Sequence, residues 1–179
     1  MSLDPPLDKA AEALLRLASE RPWPQISLRD IALEAGVDLA DLYARAPSKA
    51  VLLGLISLDF DRAALATAAT PSEDVHDRLF EATMARIEAM EPHREPLTAI
   101  ARSANVLILA PHLPFTARAI LEAAGDEATP SRVAAMSLVW GRTVQVWRDD
   151  EGALNRTMAE IDKRLRQLRD RLKLVGAGF

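Results

Sequence analysis

Apolar residues recur every three or four positions along almost the whole chain, while alternation of apolar with polar residues never lasts more than a few positions. That spacing belongs to helices with one buried face, so the pattern predicts an all-α protein. Leu7, Ala11, Leu14 and Ala18 draw the stripe of a first helix, which Pro22 and Pro24 end. Ser27 with Asp30 forms the sequence of a capping box, opening a second helix that carries Leu28, Ile31 and Ala32 to a stop at Gly36. Asp38 caps a third helix through about Arg45, Pro47 breaks it, and Ser48 caps a fourth with Val51, Leu52, Leu55, Ile56 and Phe60. After Thr70-Pro71, the most marked linker, a cap at Ser72 opens a helix bearing Leu79, Phe80, Thr83, Met84, Ile87 and Met90. Pro96 precedes a further stripe of Leu97, Ile100, Ala101, Ala104 and Ile108, and Pro111 and Pro114 break it ahead of a shorter helix ending at Gly125. Two long helices follow, over about 130–149 and 152–174.

Composition narrows this picture. The 179 residues, 49% hydrophobic, suffice for one sizeable core or a small domain joined to a larger one. Cysteine is absent, which excludes disulfides and thiolate metal sites and suits a reducing cytoplasm. The longest apolar runs, 51–56 and 104–110, fall well short of the ~20 residues that span a bilayer, and no signal-peptide pattern opens the chain. A cytoplasmic protein is expected. Enzymatic chemistry finds no support: His76, His93 and His112 share no metal-ligand spacing, and no glycine loop suited to phosphate occurs. No catalytic residue, metal or cofactor is therefore expected. The net charge of −4 is unevenly spread, with −2 over residues 1–55, −6 over 56–151 and +4 over 152–179.

Residues 27–53, SLRDIALEAGVDLADLYARAPSKAVLL, place ISLRDIA, EAGV, LY and PSK in order and at fixed spacing. This set resembles the N-terminal domain of the tetracycline-repressor (TetR) family. The resemblance implies a helix-turn-helix DNA-binding domain over 1–57, a helical ligand-binding and dimerisation domain over 58–179, and a homodimer built on the last two helices. Tyr43 and Lys49 match family positions that touch DNA phosphates; Arg45 and Asp41 complete the expected DNA-facing set. The departures lie in the reading helix. Asp38 stands where the family has a small hydroxyl residue, Ala40-Asp41 replaces a small pair, and Ala46 replaces an aromatic residue. A carboxylate about 6 Å from a phosphate costs roughly 0.7 kcal/mol even in water. Both aspartates also have simpler work as helix-capping and dipole-favouring residues, and Asp41 is able to accept a bond from cytosine N4.

Residues 72–174 bear a weaker similarity to the ubiquinone-biosynthesis accessory family, through DRLFE at 77–81, PHRE at 92–95 and a basic amphipathic last helix. That family implies a TetR-like fold that carries an isoprenoid lipid instead of reading DNA and docks on an anionic membrane through its last helix. In the present chain Leu154, Met158, Ile161, Leu165, Leu168 and Leu172 form a narrow seam along that helix. The seam reads either as packing on the preceding helix within a dimeric bundle or as a face laid on lipid with its arginines snorkelling. Val133, Met136, Trp140, Val144 and Trp147 stripe the helix before it, and Gly141 there suggests close approach of another backbone. Met84, Ile100, Asn105, Met136 and Trp140 are candidates to line a cavity for an apolar small molecule or lipid. The reading favoured is a ligand-responsive, operator-binding regulator with a weakly basic reading helix.

Overall fold

Local capping chemistry sets where most of the helices begin, in a computed structural model that describes residues 4–103, 110–150 and 153–174, the side chains of Ala110 and 171–174 aside. The helices are α1 (Pro5–Glu20), α2 (Leu28–Ala35), α3 (Leu39–Arg45), α4 (Lys49–Ala66), α5 (Val75–Met90), α6 (Arg94–Ser103), α7 (Leu113–Ala123), α8 (Pro130–Arg148) and α9 (Asn155–Leu174). No strand occurs among the described residues. Asp4 caps α1 by accepting from the Leu7 N–H, with prolines in the first turn where no hydrogen-bond donor is needed. Ser27 and Asp30 close the expected reciprocal capping box on α2. Ser48 Oγ accepts from the Val51 N–H at the start of α4. The expected cap at Ser72 is displaced: Asp74 accepts from the His76 N–H at 2.7 Å and opens α5, a carboxylate suiting the positive helix end better than a hydroxyl.

The chain forms two compact units, each built from two stretches. One comprises the residues up to Asp59 with Pro92–His112; the other comprises Phe60–Glu91 with the residues from Leu113 on. The division thus falls inside α4, and α6 joins the N-terminal unit by packing on α1.

In the first unit α1 packs on α2, α3 and α6 around Leu14, Ile26, Ile31, Leu42, Leu52, Ile56 and Ile100, all fully buried. The Trp23 N–H donates to Ser103 Oγ at 3.0 Å, tying the turn after α1 to the end of α6. Gly54 of α4 is the glycine that permits a close approach. A Cβ there would lie 2.8 Å from His112 Cε1. His93 lies in the same unit, where burial pulls its pKa below the usual histidine value against the opposing pull of Asp59 and Glu12. Because the folded form binds its proton less readily than the unfolded chain, this group's contribution is intact above about pH 6.5 and is lost as pH falls below it. The urea midpoint of His93→Gln should therefore decline less than that of the parent chain between pH 7 and pH 5.5. Equal slopes for the two proteins would refute this assignment.

In the second unit α8 packs on α7 and α9, and α5 packs on α7 and α9. Ile161, Leu165 and Leu168 of the α9 seam are 0%, 1% and 9% exposed, so the seam is core within a single protomer. Ile161, Leu165 and Leu168 therefore face inward while Leu154 and Met158 are half-buried: a helix lying on lipid needs its apolar side outward, and Lys163, Arg166, Gln167 and Asp170 are among what α9 exposes instead. Leu172 lies outside the residues whose side chains are described. Within the protomer a Cβ added at Gly141 meets nothing within 4 Å, so no described element of the same chain makes the close approach expected there. Among the described residues no helix is long and apolar enough to cross a membrane.

The second unit also buries charge. Arg86 of α5 and Asp61 of α4, each 3% exposed, pair at 2.6 Å through Nε and Oδ1. The guanidinium lies 4.4 Å from the centre of the Trp140 ring and 5.9 Å from that of Phe60. Burial lowers the Arg86 pKa while Asp61 raises it. Asp150 accepts from both the backbone N–H and the hydroxyl of Thr157, fixing the first turn of α9, and Trp147 Nε1 donates to Glu91 at 2.8 Å.

Candidate nucleic-acid interface

The turn between α2 and α3 depends on Gly36, whose φ of +63° only glycine adopts at no steric cost. Its N–H bonds back to carbonyls of α2, and the Val37 N–H bonds to the Ala32 carbonyl at 3.0 Å. Asp38 then caps α3 by accepting from the N–H groups of Ala40 and Asp41 at 2.8 and 3.0 Å. One residue anchors this short helix: Leu42, 2% exposed, points into the core. Leu39, Ala40, Asp41, Tyr43, Ala44 and Arg45 consequently face solvent, with Tyr43 59% exposed. Ala46 is fully buried, and its small side chain continues the core where an aromatic residue was the family expectation. Leu28 and Arg29 from α2, with Asp38, Leu39, Ala40, Tyr43, Ala44 and Pro47, line an open, mostly apolar groove of about 770 Å³.

The positive charges of this face are fewer than the sequence suggests. Arg45 Nη1 donates to Asp4 Oδ2 at 2.5 Å, so a third carboxylate belongs to the surroundings of the reading helix. The ammonium of Lys49 turns away from the solvent-facing side of α3. Its Nζ donates to the carbonyls of Trp23 and Ile26, at 2.5 Å each, and lies 4.7 Å from the centre of the Trp23 ring. Partial burial lowers its pKa, against the opposing charge of Asp30. Lys49 therefore holds the turn that leads into α2. Arg29 is the cation that sequence reasoning missed. It is exposed, lines the groove beside Tyr43 and makes no ion pair with a described residue. Its position two residues after the Ser27 cap was the available signal, since the capping box fixes which side of α2 faces outward.

The candidate ligand residues divide between the units. Met84, Met136 and Trp140 are buried in the second, where Trp140 lies under the Arg86 guanidinium. Ile100, 2% exposed, is core of the first unit, and Asn105 lies outside the described residues. No group of three or more His, Cys, Asp or Glu side chains suited to a metal ion occurs among the described residues.

Neither a protein-family model nor a curated protein matches the chain. Solved structures do. A TetR transcriptional regulator from Rhodococcus sp. RHA1 superposes with a TM-score of 0.67 at 21% identity, over 92% of this chain and 95% of its own. The dihydroxyacetone kinase operon activator DhaS gives 0.57 at 11% identity, over 94% and 97%. The TetR-family regulator PfmR from Thermus thermophilus gives 0.50 at 21% identity, over 88% and 97%. At such identities the likeness speaks for architecture, and it extends over nearly the full length of both partners. Together with the capped α2–turn–α3 unit and the all-helical remainder, it establishes that this chain has the TetR-like fold.

Proposed function

We propose that the protein is a ligand-responsive transcriptional regulator that binds operator DNA as a homodimer, with an electrostatically weak grip that leaves specificity to base contacts. The observation that carries this reading is the intact reading unit: α3 is capped by Asp38, anchored by Leu42, and offers Tyr43, Asp41 and Arg45 to solvent next to Arg29. The structural neighbours, described as transcriptional regulators and an operon activator, support it. Tyr43 and Arg29 are the proposed phosphate contacts, Arg45 joins them on leaving Asp4, and Asp41 is placed to accept from a cytosine amino group. Lys49 acts behind them by fixing the turn. Since the α9 seam is core, self-association falls to other surfaces of the second unit, where Leu138 of α8 is 76% exposed and Phe115 of α7 63%. The buried seam also counts against the lipid-carrier alternative, which needs that helix for membrane docking. An apolar effector is the proposed ligand, with Met84, Met136 and Trp140 nearest to that role in the second unit.

Selection from a random duplex pool at low salt tests the proposal. It should enrich a two-fold symmetric site, and sedimentation of the same sample should give twice the mass of the 19.6 kDa chain. An empty selection from a correctly folded dimer would overturn the DNA reading. With Arg29 and Arg45 from each half, the logarithm of affinity should fall against that of salt with a slope of about −3.6, or roughly 150-fold between 50 and 200 mM. Asp4→Asn makes a sharper test. Asparagine caps a helix as well as aspartate does, so α1 should persist while Arg45 is released. Because an exposed ion pair contributes about 0–1 kcal/mol, stability should barely change. Binding to all DNA sequences should strengthen several-fold; unchanged affinity would remove Arg45 from the interface.

A further inference from the structure

The groove beside α3 offers hydrocarbon where a reader of base edges more often carries hydrogen-bonding groups. Of the side chains that line it, Leu28, Leu39, Ala40, Ala44 and Pro47 have neither donor nor acceptor. Asp38 Oδ1 is taken up by the cap, accepting from the N–H groups of Ala40 and Asp41. Leu39 and Tyr43, like Ala40 and Ala44, stand four residues apart, so these four side chains share one side of α3. Leu39 is 41% exposed and Tyr43 59%, while Leu42 points into the core and anchors the helix. The outward apolar side is therefore not what holds α3 in place. Arg29 and Tyr43 are its exposed polar neighbours.

Resting on the DNA reading proposed above, we infer that this face reads the C5 methyl groups of thymines, so that the operator carries T·A pairs where Leu39, Ala40 and Ala44 meet the major groove. There guanine presents two acceptors, adenine an acceptor and a donor, cytosine a donor, and thymine an acceptor beside a methyl group. A two-pronged contact to adenine needs Asn or Gln, and α3 contains neither. The usual reader of guanine is Arg or Lys; the single cation of α3, Arg45, is paired with Asp4. Asp41, next to the apolar face, suits a cytosine. The thymine methyl is the base feature that calls for hydrocarbon, and α3 supplies it. Arg29 and Tyr43 border the face with groups that suit the phosphates of a DNA strand rather than the surface of an apolar partner.

The test uses the full chain and the duplex pool already described. Selection should enrich sites with thymine at several positions of each half. Replacing one such thymine by uracil removes only the methyl group and should weaken binding roughly fourfold, the worth of one buried methylene-sized group. Uracil outside the enriched positions should change nothing, and 5-bromouracil, whose bromine is close to a methyl in size, should restore the affinity. Leu39→Ser with Ala44→Ser should erase the difference between thymine and uracil while Tm stays near that of the parent chain, since both side chains are exposed. The uracil series on the parent chain decides the matter even if this double variant folds poorly. An enriched site that is indifferent to uracil, or whose shared positions are all G·C, would overturn the methyl inference and leave DNA binding standing. A folded double variant that keeps the full uracil penalty would do the same, whereas an empty selection would overturn both.

Discussion

Arg86→Met should lower the unfolding free energy by about 3–5 kcal/mol, the largest effect expected of any single change in this protein. The reason lies in what the substitution leaves behind. Asp61 is 3% exposed and faces Arg86 at 2.6 Å, so removing the guanidinium strands a carboxylate in a place water does not reach. The flat contact of the guanidinium with Trp140 goes with it, although the flexible methionine restores part of that surface. Adding Asp61→Leu to Arg86→Met should recover most of the loss, because two apolar side chains can replace a buried ion pair at little or no cost. Urea unfolding of the two single variants and the double variant measures the coupling directly. Additive losses, with no recovery in the double variant, would show that the pair does not act as a unit.

Lys49→Met should cost about 2–4 kcal/mol, even though Lys49 stands at a position the family resemblance assigns to DNA. Its ammonium satisfies two partly buried carbonyls, those of Trp23 and Ile26, and a hydrogen bond to a charged group contributes about 1.5–3 kcal/mol. The estimate stays below the sum of two such bonds because the carbonyls regain some water once the ammonium is gone. On the proposed function, DNA binding should weaken as well, through loosening of the turn that leads into α2. The salt dependence separates the two roles. If Lys49 only holds the turn, the slope of log affinity against log salt keeps its value; if it also neutralises a phosphate, the slope shrinks by about 0.9 for each half of the dimer. A variant as stable as the parent chain would contradict the structural role.

The fold was legible because one signal, the three-to-four spacing of apolar residues, repeats in every long helix and needs no tertiary information. Capping chemistry was nearly as readable: Ser27 with Asp30, Asp38 and Ser48 all cap as read, while Ser72 yields to Asp74 two residues on. What stayed hidden was the pairing of side chains distant in sequence. Asp4 meets Arg45 across 41 positions, Lys49 reaches back to Trp23 and Ile26, and Arg86 finds Asp61. A charged residue seen alone is read as solvated, which is right for most of them. Arg86 carried a hint, for it falls in phase with the buried Leu79, Thr83, Ile87 and Met90 of α5. Glycine was hard to read for a related reason: spacing identifies a glycine but not its neighbour, and within the protomer it is Gly54, beside His112, that is crowded among the described glycines.

The three carboxylates around the reading helix share a property that bears on how such a protein changes over generations. Asp4 and Asp38 cap helices, and Asp41 sits in a first turn. Every aspartate codon becomes an asparagine codon by a single G-to-A transition in its first base. Asparagine caps as well as aspartate, so each step would remove a negative charge near α3 while leaving the helices standing. On the proposed DNA reading, the strength of the grip is thus separable from the stability of the fold, and a lineage can raise or lower it one nucleotide at a time without passing through an unfolded intermediate.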